Sequence, residues 1–180
     1  MNVKVCAFGV FLLASVAPAR GHLLDEYLQA TFISVEKEQF RVDLFLTPGL
    51  AVLPAVLAGI DTDGNGVISA PEQRRYAERV LNDLSFTLNG THLVPQLTSF
   101  DFPSTEQLRD GRGDIHLEFT VKIAGAISSR SLCFENRHQE RIAAYQVNCL
   151  VTRDSRIRIG AQRRNTLQSS YELEMVVMPE

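Results

Sequence analysis

Apolar and polar residues alternate along much of this chain with the period of two that is typical of β-strands. In the clearest example, every second position is apolar: Ile115, Leu117, Phe119, Val121 and Ile123. Similar or β-branched and aromatic segments occur at 27–36, 40–46, 86–88, 93–94, 97–102, 130–136, 143–152, 156–161 and 169–177. Residues 103–113 are predicted to form a polar loop. About eight or nine short strands in antiparallel order predict a mainly β fold, either a β-sandwich or a partly open barrel.

The pattern changes to helical spacing between residues 50 and 84. Apolar residues recur there at i, i+3, i+4 and i+7, namely Leu53, Val56, Leu57 and Ile60. Pro54 suits the first turn of this helix, where a missing N–H does little harm. A second helix is predicted after residue 72, with an inner face made of Tyr76, Ala77, Val80 and Leu84. Because strands bracket the pair, we interpret 50–84 as an insertion within a single β-rich domain that spans 22–180.

Between the two helices, residues 61–72 match the calcium-binding loop of an EF-hand, with the sequence DTDGNGVISAPE. Calcium is a hard cation that takes six to eight oxygen ligands, and a loop of this length supplies them from alternate positions. Gly66 at the sixth position permits the sharp turn with positive φ. The predicted ligands are the side chains of Asp61, Asp63, Asn65, Ser69 and Glu72, with the backbone carbonyl of Val67.

A simpler interpretation of the same loop needs no metal. The segment from Ser69 to Glu72 is also a capping-box pattern, and Asp63-Gly64 and Asn65-Gly66 are common turn dipeptides. Neither pattern explains oxygen-bearing side chains at strict two-residue spacing, so we favour calcium. The three formal negative charges are modest and the sequence contains no second loop to pair with this one. We therefore expect a structural calcium with a dissociation constant on the order of 10⁻⁴ M.

The first 21 residues have the pattern of a secretory signal peptide. Lys4 precedes an apolar run, and small residues offer cleavage after Gly21 or, alternatively, after Ala19. We expect an exported protein, periplasmic or secreted, with no membrane span in its mature part. Removing the peptide takes Lys4 and Arg20 from a chain whose net charge is already −3. This acidic balance disfavours nucleic acid as a partner.

Other candidate sites are weaker. Cleavage after Gly21 would make His22 the N-terminal residue, where an amine and an imidazole together can chelate a copper- or nickel-type ion. The four histidines show no HxH or HxxxH spacing, which gives little support to an internal zinc site. Export would permit a disulfide between Cys133 and Cys149, but sequence gives no geometry and the pairing stays open. No catalytic motif occurs, so we do not expect an enzyme.

Several segments, which together span most of residues 22–178, resemble a group of bacterial exported proteins. Residues 22–30, with the letters HLLDEYLQA, resemble the "AHPLDEYLQA" start of their mature chains. The likeness continues through residues 46–49, with LTPG, the helix into the EF-hand loop, and residues 134–138, with FENRH, and the strand that follows. These proteins are labelled EF-hand or calcium-binding, and some resemble the extracytoplasmic part of nickel/cobalt permeases and of hydrogenase/urease accessory membrane proteins. Here Leu23 stands where the pattern has Pro, and the membrane helices of the permease-linked forms do not occur.

The resemblance and the loop together imply a calcium-binding accessory or interaction domain. Its partner would be a separate membrane transporter or another periplasmic protein. The alternative is an extracytoplasmic domain that delivers or senses nickel, cobalt or copper, with His22 as its first ligand.

Overall fold

The structure is a computed structural model that describes residues 25–124 and 128–178. The predicted signal peptide and His22 lie outside these residues. The helices are α1 Leu53–Ile60, α2 Ala70–Asn82 and α3 Thr105–Arg109. The strands are β1 Tyr27–Val35, β2 Gln39–Pro48, β3 Leu84–Leu88, β4 Thr91–Leu93, β5 Pro95–Asp101, β6 Ile115–Lys122, β7 Ser129–Asn136, β8 Ala143–Cys149, β9 Ile157–Arg164 and β10 Ser170–Val177.

These strands form two five-stranded sheets. The first has the order β5-β6-β2-β1-β8 and the second the order β4-β3-β7-β10-β9. Paired strands run antiparallel, apart from β1 and β8, which are parallel. The predicted mainly β fold is therefore confirmed, and the two sheets are consistent with a β-sandwich.

The hydrophobic core lies between the two sheets, because alternation sends every second side chain of the central strands inward. In β1 and β6 the inward positions are buried and their neighbours are more exposed. Phe86 of the second sheet packs edge-on against Phe119 of the first, with ring centroids 5.8 Å apart, and tilts against Phe134 at 4.8 Å. Each such buried aromatic ring stabilises the fold by about 1.5–3 kcal/mol through the water it excludes.

The helical segment lies in the chain between β2 of the first sheet and β3 of the second. Leu53, Val56 and Ile60 of α1 are buried, and so are Tyr76 and Val80 of α2. All five belong to the same hydrophobic cluster as the sheets. The helices therefore share the core of the strands. No helix in the described ranges has the length and apolar character that crossing a membrane requires.

Two expectations from the pattern were wrong at the level of single elements. α2 ends at Asn82 and Leu84 begins β3, because Leu84 also continues the apolar alternation of Phe86 and Leu88. The predicted polar loop 103–113 contains α3, which a capping box starts: the Gln107 N–H donates to Ser104 Oγ, and the Ser104 N–H donates to Gln107 Oε1.

Candidate metal centre

The loop between α1 and α2 winds around the carboxylate of Asp61. Asp61 Oδ1 accepts the Asn65 N–H at 3.2 Å, and its Oδ2 accepts the Gly66 N–H at 2.8 Å. Gly64 and Gly66 have φ values of +70° and +83°, a region that only glycine enters at no steric cost. A Cβ at Gly66 would meet nothing within 4 Å. The glycine is therefore required by the backbone conformation rather than by lack of space.

Three carboxylates converge in this loop. Oxygens of Asp61, Asp63 and Glu72 all lie within 4.8 Å of one another. Asp63 is exposed and Asp61 half-buried, whereas Glu72 is buried at 3% relative exposure. Like charges at this separation repel one another, and a divalent cation among them would remove that repulsion.

Glu72 is the most constrained of the three acids. Its Oε1 accepts hydrogen bonds from the Thr62 N–H at 2.7 Å and from Thr62 Oγ1 at 3.0 Å, and its Oε2 from the Ser69 N–H at 3.0 Å and Ser69 Oγ at 2.7 Å. These bonds, led by that from the Ser69 hydroxyl, lower the pKa of Glu72 to about 2. The capping box predicted from sequence is thus present at the start of α2.

A calcium ion would have to compete with the hydrogen bonds that Glu72 already accepts. A carboxylate offers about four lone-pair sites, and all of these are used by Thr62 and Ser69. The two backbone N–H groups are fixed by the chain, but the two hydroxyls rotate freely. Rotation of the hydroxyls would free one site on each oxygen for an ion, and would turn the Ser69 oxygen into a ligand.

The remaining predicted ligands lie in the turn that follows Asp63. Asn65 Nδ2 donates to Asp63 Oδ2 at 2.8 Å, and Asn65 Oδ1 accepts the Val67 N–H at 2.7 Å. The Val67 side chain is 66% exposed, as expected of a residue that would contribute through its carbonyl. Ile68 is buried in the core cluster. The donor set is oxygen throughout, which is the chemistry that calcium prefers, and the residues present fit that ion.

Residues outside the twelve positions also hold the loop, and the loop pattern in the sequence does not reveal them. Thr105 at the start of α3 donates its hydroxyl to the Gly66 carbonyl at 2.7 Å. Arg75 donates to Thr62 Oγ1 at 3.2 Å, and Arg79 donates to the Gly59 carbonyl at 2.6 Å. The Ser104-x-x-Gln107 pattern could have revealed α3, but its contact with the loop depends on tertiary packing.

A chain of buried polar side chains connects α2 to both sheets. Tyr76 of α2 lies with its hydroxyl 2.7 Å from the Tyr27 hydroxyl of β1 and 3.0 Å from Nε2 of His138. Nδ1 of His138 lies 2.7 Å from Asp83 Oδ2, at the end of α2. Burial raises the pKa of Tyr76 to about 12 and lowers the pKa of His138, so both groups stay neutral near pH 7.

The same histidine is tied to the sheets through its backbone. Its carbonyl accepts bonds from Gln29 Nε2 at 2.7 Å and from the Tyr145 hydroxyl at 3.1 Å, and its N–H donates to Asn136 Oδ1 at 2.9 Å. Asn136 Nδ2 in turn donates to Gln29 Oε1. Gln29 and His138 come from two of the segments that carry the family resemblance. The structure thus brings these segments together beside α2.

The two cysteines do not form the disulfide that sequence analysis left open. Both are free thiols in the structure. Cys133 lies in β7 of the second sheet and points outward, between the buried residues Leu132 and Phe134, while Cys149 ends β8 of the first sheet and packs against the core. Burial raises the pKa of both thiols, which makes them poor nucleophiles at neutral pH.

No protein-family model, no curated protein and no solved structure matches this chain. The resemblance to exported EF-hand proteins therefore stays a prediction from the sequence. A proposed function therefore rests on the fold and on the loop 61–72.

Proposed function

We propose that the chain binds one calcium ion through residues 61–72 as an EF-hand, and that the ion is structural. The observation that carries this proposal is the convergence of Asp61, Asp63 and Glu72 within 4.8 Å in a loop whose donors are all oxygens. The three carboxylates bring three negative charges together, and an ion of charge +2 would offset most of that charge.

The ion would fix the angle between α1 and α2. Asp61 directly follows α1, and Glu72 lies in the first turn of α2. An ion bound to both residues therefore joins the end of one helix to the start of the next. The buried hydrogen bonds that link Tyr76 to Tyr27 and His138 would then hold α2 in this position against the sheets. The role we propose is that of a binding domain that presents one shaped surface, rather than that of an enzyme.

We further propose that the protein works outside the cytoplasm, in the periplasm or after secretion, as an accessory to a membrane transporter or another exported protein. This rests on the signal-peptide pattern of residues 1–21 and on the family resemblance. N-terminal sequencing of the exported protein tests the first part. A mature chain that begins after Ala19 or Gly21 supports it, and a chain that keeps Met1 contradicts it.

Isothermal titration calorimetry with calcium tests the central proposal. Wild type should take up one equivalent, and Asp61→Ala and Glu72→Gln should each lose most of that uptake. Glu78→Gln is the matched control, because Glu78 is an exposed acid of α2 that pairs with Arg74 outside the loop. Calcium uptake that is unchanged in Asp61→Ala and Glu72→Gln would refute the proposal.

A further inference from the structure

A second group of metal-ligating side chains lies on the outer face of the first sheet. Asp43 belongs to β2, and His116 and Glu118 belong to β6. Their inward neighbours, such as Val42, Leu44 and Leu117, are fully buried, so these three side chains share the opposite face. One ligand atom from each lies within 4.8 Å of the others.

The strand register produces this cluster. β2 and β6 pair so that Asp43 stands directly opposite Glu118, and His116 lies one step along the same face, opposite Phe45. His116 Nε2 is 3.1 Å from Asp43 Oδ1. All three residues are carried by adjacent strands in the middle of the sheet, where the backbone is held on both sides.

Packing fixes the histidine ring. The imidazole of His116 stacks on Phe45 with ring centroids 4.3 Å apart and an interplanar angle of 1°. Phe45 is itself held by an edge contact with Phe32. Stacking on Phe45 fixes the plane of the imidazole, and Nε2 is directed at Asp43 Oδ1 within that arrangement. A ring held in this way loses little freedom when it binds an ion.

Carboxylates surround this ring, and the nearest cation on the same face of β2 is Arg41, one step beyond Asp43. Asp43 and Glu118 form a directly opposed cross-strand pair of like charge, an arrangement that destabilises a sheet. On the other side of β6, Asp101 of β5 stands opposite His116 and adds a third carboxylate to the same face. The side chains of His116 and Asp43 are only 27% and 23% exposed, so water screens these charges incompletely. The contact between His116 and Asp43 leaves the charge of Glu118 without a cationic partner among these three side chains.

Glu118 is oriented by a residue that does not belong to the cluster. Ser99 Oγ donates to Glu118 Oε2 at 2.8 Å from the neighbouring strand β5. Such an outer hydrogen bond is the usual means by which a ligating carboxylate is held toward a metal.

We propose that Asp43, His116 and Glu118 form a binding site for a divalent transition-metal ion of the zinc class. One imidazole nitrogen and two carboxylate oxygens suit zinc, cobalt or nickel better than calcium or magnesium, which prefer oxygen alone. Three protein ligands leave a position for water or for a ligand from outside. The site differs in donor chemistry from the loop 61–72, so the two take different ions.

Zinc titration of the exported protein tests this site. Binding is measured by calorimetry and by the visible absorption of Co²⁺, which substitutes for zinc. We expect one equivalent in wild type, and an affinity lowered by more than about tenfold in His116→Gln. Asp43→Asn and Glu118→Gln should weaken binding in the same direction. His92→Gln is the matched control, because His92 is exposed on β4 of the other sheet.

His22→Ala separates this site from chelation at the N-terminus and should leave the zinc equivalent in place. The proposal is overturned if wild type binds no zinc, if His116→Gln binds it as wild type does, or if His92→Gln or His22→Ala loses as much. Where His116→Gln changes the circular dichroism spectrum, the nearly isosteric Asp43→Asn decides the same question. Calcium uptake should be unchanged in all of these variants, which makes this outcome independent of the loop.

Discussion

Asp61 and Glu72 stabilise the loop 61–72 through hydrogen bonds to their own carboxylates. Asp61 orders the turn by accepting two backbone N–H groups, and Glu72 joins the loop to α2 by accepting bonds from Thr62 and Ser69. Both acids thus have a structural task before any ion binds. The carboxylate of Glu72 caps α2 and also lies close to the carboxylates of Asp61 and Asp63.

Substitution of the glycine at the sixth loop position is expected to destabilise the protein through its backbone conformation alone. Gly66→Ala should lower the free energy of unfolding by about 1–2 kcal/mol, because alanine is strained at positive φ even where space is open. Urea denaturation measures this. Gly59→Ala is the control, since Gly59 lies within α1 without a positive φ, and its added methyl would approach only the Arg79 guanidinium. Equal behaviour of the two variants would contradict the expectation.

Glu72 should give the protein a recognisable acid sensitivity. Its pKa falls from 4.5 to about 2 on folding, led by the hydrogen bond from Ser69, so the unfolded chain binds the proton more tightly. The stabilisation is complete above pH 4.5 and is lost as the pH falls toward 2. In Glu72→Gln the unfolding free energy should fall less steeply across that window. Urea denaturation at several pH values checks this, and parallel profiles for the two proteins would refute it.

At the scale of elements, α2 is the helix that contacts both the loop 61–72 and the residues of the sheets. Its first turn carries Glu72, and its inner face carries Tyr76, whose hydroxyl lies between Tyr27 and His138. All described buried side-chain nitrogen and oxygen atoms have hydrogen-bond partners. A half-satisfied network in such a place would cost more than an apolar one.

Removing the Tyr76 hydroxyl should therefore destabilise the protein despite a nearly unchanged volume. Tyr76→Phe leaves the buried Tyr27 hydroxyl and His138 Nε2 without this partner, at an expected loss of about 1–3 kcal/mol. Tyr171→Phe is the control: its hydroxyl bonds Gln162 in a partly buried place, and the expected loss is smaller. Thermal unfolding of both variants tests the difference. A larger loss of stability in Tyr171→Phe would show that the hydrogen bonds of Tyr76 do not contribute the stability expected of them.

Elements with a strong local signal were predictable from the sequence. The alternation at 115–123 became β6. The dipeptide Asn89-Gly90, a pair typical of two-residue hairpin turns, connects β3 to β4 with φ values of +50° and +80°. Leu84 fitted both a helical and a strand pattern, so local reasoning assigned it to the wrong element. α3 was missed because the turn residues around it outweighed its capping box.

At the scale of the whole molecule, the arrangement of strands was beyond local reasoning. Nothing in the sequence of β1 or β8 specifies that they pair in parallel, or that β2 and β6 bring Asp43 opposite Glu118. The ligands predicted for the loop are close in sequence, and the prediction rests on their spacing alone. The cluster on the sheet joins residues 73 positions apart, and only the HxE step from His116 to Glu118 hinted at it.

The most direct test of a structural calcium ion at residues 61–72 is the free energy of unfolding, measured with and without calcium. If the ion is structural and its dissociation constant is on the order of 10⁻⁴ M, then about 10 mM calcium should raise the free energy of unfolding by about 2.7 kcal/mol. Asp61→Ala should show no such gain, and magnesium at the same concentration should give much less in wild type. An absent gain in wild type, or an equal gain in Asp61→Ala, would contradict a structural calcium at residues 61–72.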